Sequence, residues 1–81
     1  MSLVVIGVNN RAMPLDLFER FSIGDDALPK ALFGVLSRRN ISEAVILSTC
    51  NRTEVYAYAE KFHGAYQDIR DFLAETAQIA P

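Results

Sequence analysis

Two stretches of strand-type residues lie close together in this chain of 81 residues. Ala44 to Leu47 is continuously apolar, and Thr53 to Ala59 alternates Glu and Tyr with Val and Ala. Only Ser48 to Arg52 separates them, which is short enough for an antiparallel hairpin or a bulged corner. The pair therefore predicts an antiparallel sheet.

A third strand is predicted at Leu3 to Val8, where β-branched residues run almost without interruption. This run indicates a central strand that is buried on both faces. Apolar residues at helical spacing predict a helix from about Ala27 to Ser37. A closing helix is predicted beyond Gly64, running to about Ala77.

End signals accompany the first of these helices. Asp25 or Asp26 is suited to cap its amino terminus, and Asn40 can end it in a left-handed conformation. Arg38 and Arg39 lie where cations favour the negative end of a helix, and we expect them to be solvated.

The order strand, helix, strand, strand, helix predicts one α+β domain over residues 1–81, with the helices on one face of a small antiparallel sheet. A further short helical turn can open at Pro14 and Asp16. The order matches a ferredoxin-like split βαβ plan that lacks its last strand. That strand would pair beside the first, so we expect an open edge at Leu3 to Val8 and a sequence cut from a longer protein.

Charge and hydropathy exclude several classes of function. The formal net charge is −2 with both signs interspersed, so there is no broad basic field and any RNA contact must be local. Arg11, Arg38 and Lys61 could reach phosphates, but the negative balance favours ordinary solvated charges. The apolar run near the start is too short for a membrane span and lacks signal-peptide features, so a cytoplasmic protein without membrane contact is expected.

The chain has a single cysteine, Cys50, and a single histidine, His63. The cysteine cannot form an internal disulfide, which agrees with a reducing compartment. A structural zinc site needs about four nitrogen or sulfur ligands, so no metal is expected. Cys50 lies among polar residues and could be either a buried inert thiol or a nucleophile.

Two neighbours bear on that choice. Arg52 could favour the thiolate of Cys50, or it could form a surface ion pair with Glu54 or Glu60. His63 could face the thiol as an acid or base, or it could cap the last helix. A cysteine and a histidine support nucleophilic catalysis only if the fold brings them together.

The string Ser-Thr-Cys-Asn-Arg-Thr-Glu at residues 48–54 is highly specific. Together with Gly-Val-Asn at 7–9, Pro14, Glu19 and Phe-His-Gly at 62–64, it resembles the opening of glutamyl-tRNA reductases in order and spacing. The resemblance spans nearly the whole chain. It implies the amino-terminal catalytic domain of an NADPH-dependent oxidoreductase of tetrapyrrole (porphyrin and heme) biosynthesis.

The resemblance also implies a mechanism. The Cys50 thiolate attacks the ester of glutamyl-tRNA and holds glutamate as a thioester, which NADPH then reduces to glutamate 1-semialdehyde. Thr49, Asn51 and Arg52 would bind the substrate, with Arg52 holding a carboxylate, and His63 would assist catalysis near the thiol. The chain has no glycine-rich dinucleotide turn, so residues outside it are expected to bind NADPH. A homodimer of the full-length enzyme and glutamate 1-semialdehyde aminomutase are the other implied partners.

The chain departs from the family pattern near its start. Asn10 stands where the family has histidine, Ala12 stands at a hydroxyl position, and Met13 precedes Pro14. If the usual groups shape the glutamate pocket, substrate affinity or positioning differs here. Two other functions are weighed: a non-catalytic dimerisation or regulatory module whose open strand edge recruits a partner, and a redox-sensing cysteine.

Overall fold

The computed structural model describes residues 1–79, which form a three-stranded sheet and three helices. Their bounds are β1 Ser2–Asn9, α1 Leu15–Phe21, α2 Leu28–Leu36, β2 Glu43–Ser48, β3 Arg52–Ala59 and α3 Phe62–Ala77. The predicted α+β class is confirmed. The predicted helical turn is a seven-residue helix, α1, so the order is β-α-α-β-β-α.

The sheet has the strand order β1-β3-β2, and β3 is antiparallel to both neighbours. The strands β1 and β2 therefore run parallel on either side of β3, as in a split βαβ unit. Within residues 1–79 β1 is an edge strand, which fits the split βαβ plan without its last strand, whereas the prediction of a central strand was wrong. The prediction of two buried faces was also wrong, because Leu3 and Val5 are 58% and 48% exposed. An unbroken apolar run does not reveal which of its faces is covered.

The core lies between the inner face of the sheet and the helices. Side chains alternate along a strand, so only every second residue reaches this core. In β3 these are Thr53, Val55, Ala57 and Ala59, all buried. The largest fully buried side chains of the described chain are Phe18, Ile69, Val4, Val35, Val55 and Thr53. Across residues 1–79, no helix is long and apolar enough to cross a membrane.

The amino terminus of α2 lacks the predicted aspartate cap. Ala27 is the N-cap residue, without a side-chain hydrogen bond. The preceding turn supplies the reason, because the Ala27 N–H donates to the Gly24 carbonyl and the Leu28 N–H donates to the Asp25 carbonyl. The carbonyls of Gly24 and Asp25 thus accept the hydrogen bonds of N–H groups that an aspartate side chain would otherwise cap.

The region after α2 is held by α3 rather than by a left-handed residue. Asn40 does not have positive φ, and its N–H and Nδ2 donate to the Asp68 carboxylate at 3.1 and 3.0 Å. The left-handed residue is Gln78, at the end of α3. Arg38 is not a simple solvated charge either, since two of its nitrogens bind the Glu75 carboxylate at 2.8 and 3.2 Å. These contacts between distant residues override local end signals.

Candidate active site

Cys50 lies at the tip of the connection between β2 and β3, next to Asn51, and it is exposed. The Thr49 N–H donates to the Arg52 carbonyl at 2.8 Å, so the hairpin stays paired up to this tip. The hypothesis of a buried thiol is therefore wrong. An exposed thiol on a paired hairpin can meet a large substrate.

The Thr49 hydroxyl fixes the backbone of this loop. It accepts hydrogen bonds from the N–H groups of Asn51 and Arg52 at 3.1 and 3.2 Å. It lies 3.4 Å from the Arg52 carbonyl, to which it can donate. Threonine often bonds to nearby backbone in this way at turns. The hydroxyl of Thr49 thus ties the two residues that follow Cys50 to the residue that precedes it.

A pair of hydroxyls lies beneath the loop. Ser48 Oγ and Thr53 Oγ1 share a hydrogen bond of 2.9 Å, and the Ile23 N–H donates to Ser48 Oγ at 3.0 Å. This anchors the α1–α2 connection beside Cys50. A shallow depression of about 390 Å³ results, lined by Ser22, Ile23, Gly24, Asp25, Ser48, Thr49 and Cys50.

The end of β1 supports the opposite side of the loop. The Asn10 N–H donates to the Asn51 carbonyl at 3.1 Å, and Asn10 Nδ2 donates to Asn51 Oδ1 at 3.4 Å. Asn10, where the chain departs from the pattern that it resembles, thus directly contacts the loop of residues 49–51, the candidate nucleophile loop. A polar depression of about 710 Å³ opens here, lined by Asn9, Asn10, Arg11, Asn51, Arg52 and Glu54.

Arg52 reaches Glu54 rather than Glu60. Its Nε lies 3.6 Å from Glu54 Oε1, and the Arg52 side chain is 55% exposed. The same carboxylate oxygen accepts the Tyr56 hydroxyl at 2.8 Å, and this hydrogen bond raises the pKa of Tyr56. The predicted surface ion pair is therefore confirmed, and it orients Arg52 beside the loop.

The structure does not bring His63 to Cys50. His63 lies in the first turn of α3, which follows the far end of β3. The eight residues of β3 separate the two ends of the sheet by about 23 Å at the usual rise per residue. The N-cap of α3 is Lys61, so His63 is not a cap either; its ring meets Phe62 edge to face at 5.6 Å. The length of the Thr53 to Ala59 strand pattern was the sequence signal for this separation.

The described residues do not fit a metal or a dinucleotide. Among residues 1–79 no group of three or more His, Cys, Asp or Glu side chains could hold a metal ion. A dinucleotide turn needs glycines between a strand and a helix. Here the glycines lie within β1, α2, α3 and the α1–α2 connection, and none has positive φ.

Comparison with known proteins shows the family of the chain. Residues 6–81 match the family described as "Glutamyl-tRNAGlu reductase, N-terminal domain". The chain is 47% identical to a glutamyl-tRNA reductase of Frankia alni, over 98% of this chain and 17% of that protein. It is 51% identical to the Xanthomonas axonopodis pv. citri reductase, over 78% of this chain and 15% of that protein. It is 37% identical to a Corynebacterium glutamicum reductase, over 98% and 17%. The chain thus spans less than a fifth of the length of these relatives.

Proposed function

Because the chain belongs to the glutamyl-tRNA reductase family, as its N-terminal domain, we propose that it accepts the glutamyl group of glutamyl-tRNA on Cys50. The observation that carries this proposal is the exposed Cys50 at the tip of a hairpin whose backbone Thr49 holds. A nucleophile that is already fixed loses little conformational freedom when it attacks.

The proposed step is an acyl transfer without redox change. Cys50, as a thiolate, forms a bond from Sγ to the ester carbonyl carbon, and an electron pair moves to the carbonyl oxygen. When this tetrahedral intermediate collapses, the bond from that carbon to the ribose oxygen breaks. The ribose oxygen leaves with a proton from water, and the thiol proton has passed to solvent. The products are a glutamyl thioester on Cys50 and tRNA.

The loop offers one backbone donor for the negative oxygen of that intermediate. The N–H groups of Thr49, Asn51 and Arg52 all donate within the loop. Among residues 1–79 no hydrogen-bond partner is found for the Cys50 N–H. We assign this N–H to the oxyanion, because a fixed donor beside developing charge stabilises a transition state.

Arg52 is assigned to a carboxylate of the glutamyl group. Its contact with Glu54 uses Nε at 3.6 Å, which is long for an ion pair. The terminal nitrogens can therefore take a second carboxylate in the bidentate geometry that guanidinium favours. Thr49 and Asn51 act through the loop, since their side chains bond to its backbone and to Asn10 respectively. His63 has no part in the proposed step because it lies at the far end of β3.

Reduction of the thioester to glutamate 1-semialdehyde, in tetrapyrrole biosynthesis, completes the proposal. NADPH supplies a hydride when bound, and we assign its site to other parts of the longer reductases, because residues 1–79 do not fit a dinucleotide. The homodimer, the aminomutase partner and the cytoplasmic location stay predictions.

One observation favours the alternative of a non-catalytic interaction module. The edge of β1 is unpaired within residues 1–79, and the outer face of the sheet exposes apolar side chains, including Leu3, Val5, Val45 and Tyr58. Such surfaces are typical of binding sites for other chains. The module hypothesis predicts an accessible thiol that does not react with glutamyl-tRNA.

The deciding experiment traps the acyl group. The purified chain is mixed with glutamyl-tRNA labelled in the glutamate, quenched in acid and analysed by intact mass, with Cys50→Ser as the matched variant. The proposal predicts a labelled adduct that hydroxylamine removes and that the variant lacks. If an alkylating agent modifies Cys50 but no glutamyl adduct forms, the module hypothesis is favoured instead.

A further inference from the structure

Arg11 is a second arginine in the polar depression beside the nucleophile loop. It follows β1 and lines the same 710 Å³ depression as Arg52 and Asn51. Charge composition alone favoured a solvated side chain here, since the chain is net negative. Its position beside Asn51, the neighbour of Cys50, indicates a role in binding the substrate.

The backbone around Arg11 is fixed to the loop. Asn9 Oδ1 accepts the N–H groups of Arg11 and Ala12 at 2.9 and 3.0 Å. Asn10 donates from its N–H and its Nδ2 to Asn51. The backbone of Arg11 is thus held by Asn9, next to the Asn10 contacts that support the Cys50 hairpin.

Arg11 is not committed to a structural ion pair. The two ion pairs found within residues 1–79 are Arg38–Glu75 and Arg52–Glu54, and neither includes Arg11. The acidic member of the depression, Glu54, is already engaged by Arg52 Nε and the Tyr56 hydroxyl. An exposed guanidinium on a fixed backbone is suited to an anion brought by a ligand.

We propose that Arg11 binds a phosphodiester at the 3′ end of the tRNA, an inference that rests on the proposed function. The reacting ester joins two anionic parts, since the glutamyl side carries a carboxylate and the ribose side carries phosphodiesters. Arg52 takes the carboxylate, and Arg11 takes a phosphate on the other side of the ester. Cys50 lines the neighbouring 390 Å³ depression, and Asn51 beside it lines the depression that holds both guanidiniums. The ester would therefore meet Cys50 at the tip of the loop while its two anionic parts extend towards Arg52 and Arg11. The contact is local, as the net negative charge requires.

The test measures RNA binding separately from acyl transfer. The probe is an uncharged RNA hairpin with the single-stranded 3′ end of tRNA, titrated at several salt concentrations. The variants are Arg11→Gln, Arg11→Lys and the control Arg39→Gln, an exposed arginine that lines a different depression with Met1 and Lys61. Folding of each variant is checked by circular dichroism.

We expect Arg11→Gln to weaken binding about tenfold and to reduce the salt slope by roughly 0.7 to 0.9, as for one lost phosphate contact. Arg11→Lys should keep most of the salt slope, and Arg39→Gln should match the unchanged chain. Equal binding by Arg11→Gln and the unchanged chain, an equal loss in Arg39→Gln, or no binding by the unchanged chain overturns the inference.

A second substrate separates this inference from the proposed function. Glutamyl-adenosine carries the ester but no phosphate, so Arg11→Gln should acylate from it as fast as the unchanged chain does, and more slowly from glutamyl-tRNA. Equal loss with both esters would contradict a phosphate contact. Failure of Cys50 to form any adduct, with the Arg11-dependent RNA binding intact, would count against the acyl transfer alone.

Discussion

Gly7 faces Glu54 across the β1–β3 pair, and a methyl group on Gly7 would lie only 2.9 Å from Glu54 Cγ. Glu54 in turn contacts Arg52 Nε and accepts the Tyr56 hydroxyl. The absence of a side chain at Gly7 therefore provides the space from which Glu54 orients Arg52 beside the nucleophile loop.

Replacing Gly7 by alanine should displace Glu54 and weaken its hydrogen bond to Tyr56. That bond is the largest cause of the raised pKa of Tyr56, so the pKa should fall towards its ordinary value of 10.0. The added methyl group overpacks the site, while alanine favours a strand more than glycine does. The net effect should be a loss of about 1 kcal/mol in the free energy of unfolding. Site-resolved NMR titration and urea unfolding would measure both effects. Gly24→Ala is the control, because nothing lies within 4 Å of a methyl group there. An unchanged pKa of Tyr56 in Gly7→Ala would refute this account.

The Arg38–Glu75 pair should make stability depend on pH. The hydrogen bond from Arg38 lowers the pKa of Glu75 in the folded state. The ion pair therefore stabilises the fold above the ordinary glutamate pKa, and this stabilisation is lost as the pH falls through the lower pKa of the folded state. Because Glu75 is 64% exposed, Glu75→Gln should cost only about 0.5 kcal/mol at pH 7. Urea unfolding should show this cost shrinking towards zero in acid, with Glu60→Gln as the control. A cost that persists unchanged in acid would show that the charge of Glu75 is not its source.

Gly64, the last residue of the Phe-His-Gly motif, has a packing role. A methyl group there would lie 2.6 Å from Asn40 Cγ, and Asn40 is tied to Asp68. Gly64→Ala should therefore destabilise the chain by about 1 kcal/mol, despite the better helix propensity of alanine. Adding Asn40→Ala removes the clash, so in denaturant unfolding the double variant should lose less than the sum of the two single variants. Additive losses would contradict a direct clash.

Thr49 should control the order of the nucleophile loop. Thr49→Val keeps the shape but removes the hydroxyl that accepts the N–H groups of Asn51 and Arg52. Hydrogen exchange at those two amides should quicken, and acylation of Cys50 should slow about tenfold, the equivalent of one hydrogen bond. Thr49→Ser retains the acceptor and should retain slow exchange. Equal exchange rates in both variants would mean that the hydroxyl does not hold the loop.

Hydrophobic periodicity was enough to predict the main elements of the fold. All three strands and α2 lie within one residue of the predicted bounds, since each pattern spans most of its element, whereas α3 begins at Phe62 and not beyond Gly64. The errors lie where distant residues decide the outcome. The exposed outer face of β1 depends on what packs against it, and the ends of α2 depend on Glu75 and Asp68 in a helix far along the chain.

For the candidate site, too, prediction succeeded for contiguous residues and failed for contacts between distant residues. The string around Cys50 pointed to the loop that carries the candidate nucleophile, because its residues are contiguous. The supports of the loop were missed, since Ile23 and Asn10 contact it from 25 and 41 residues away. The pair Asn9 and Asn10, directly after the predicted strand Leu3 to Val8, was the available signal for a turn at the end of β1. His63 was expected near the thiol, but the length of β3 already separated the two residues.

The central claim is that the Cys50 hairpin accepts an acyl group without help from His63. The most direct test is the time course of tRNA release from glutamyl-tRNA, with the chain in known amount. We predict a burst of about one tRNA per chain, absent in Cys50→Ser and undiminished in His63→Ala. Release that is the same in Cys50→Ser, or a burst that disappears in His63→Ala, would contradict the claim.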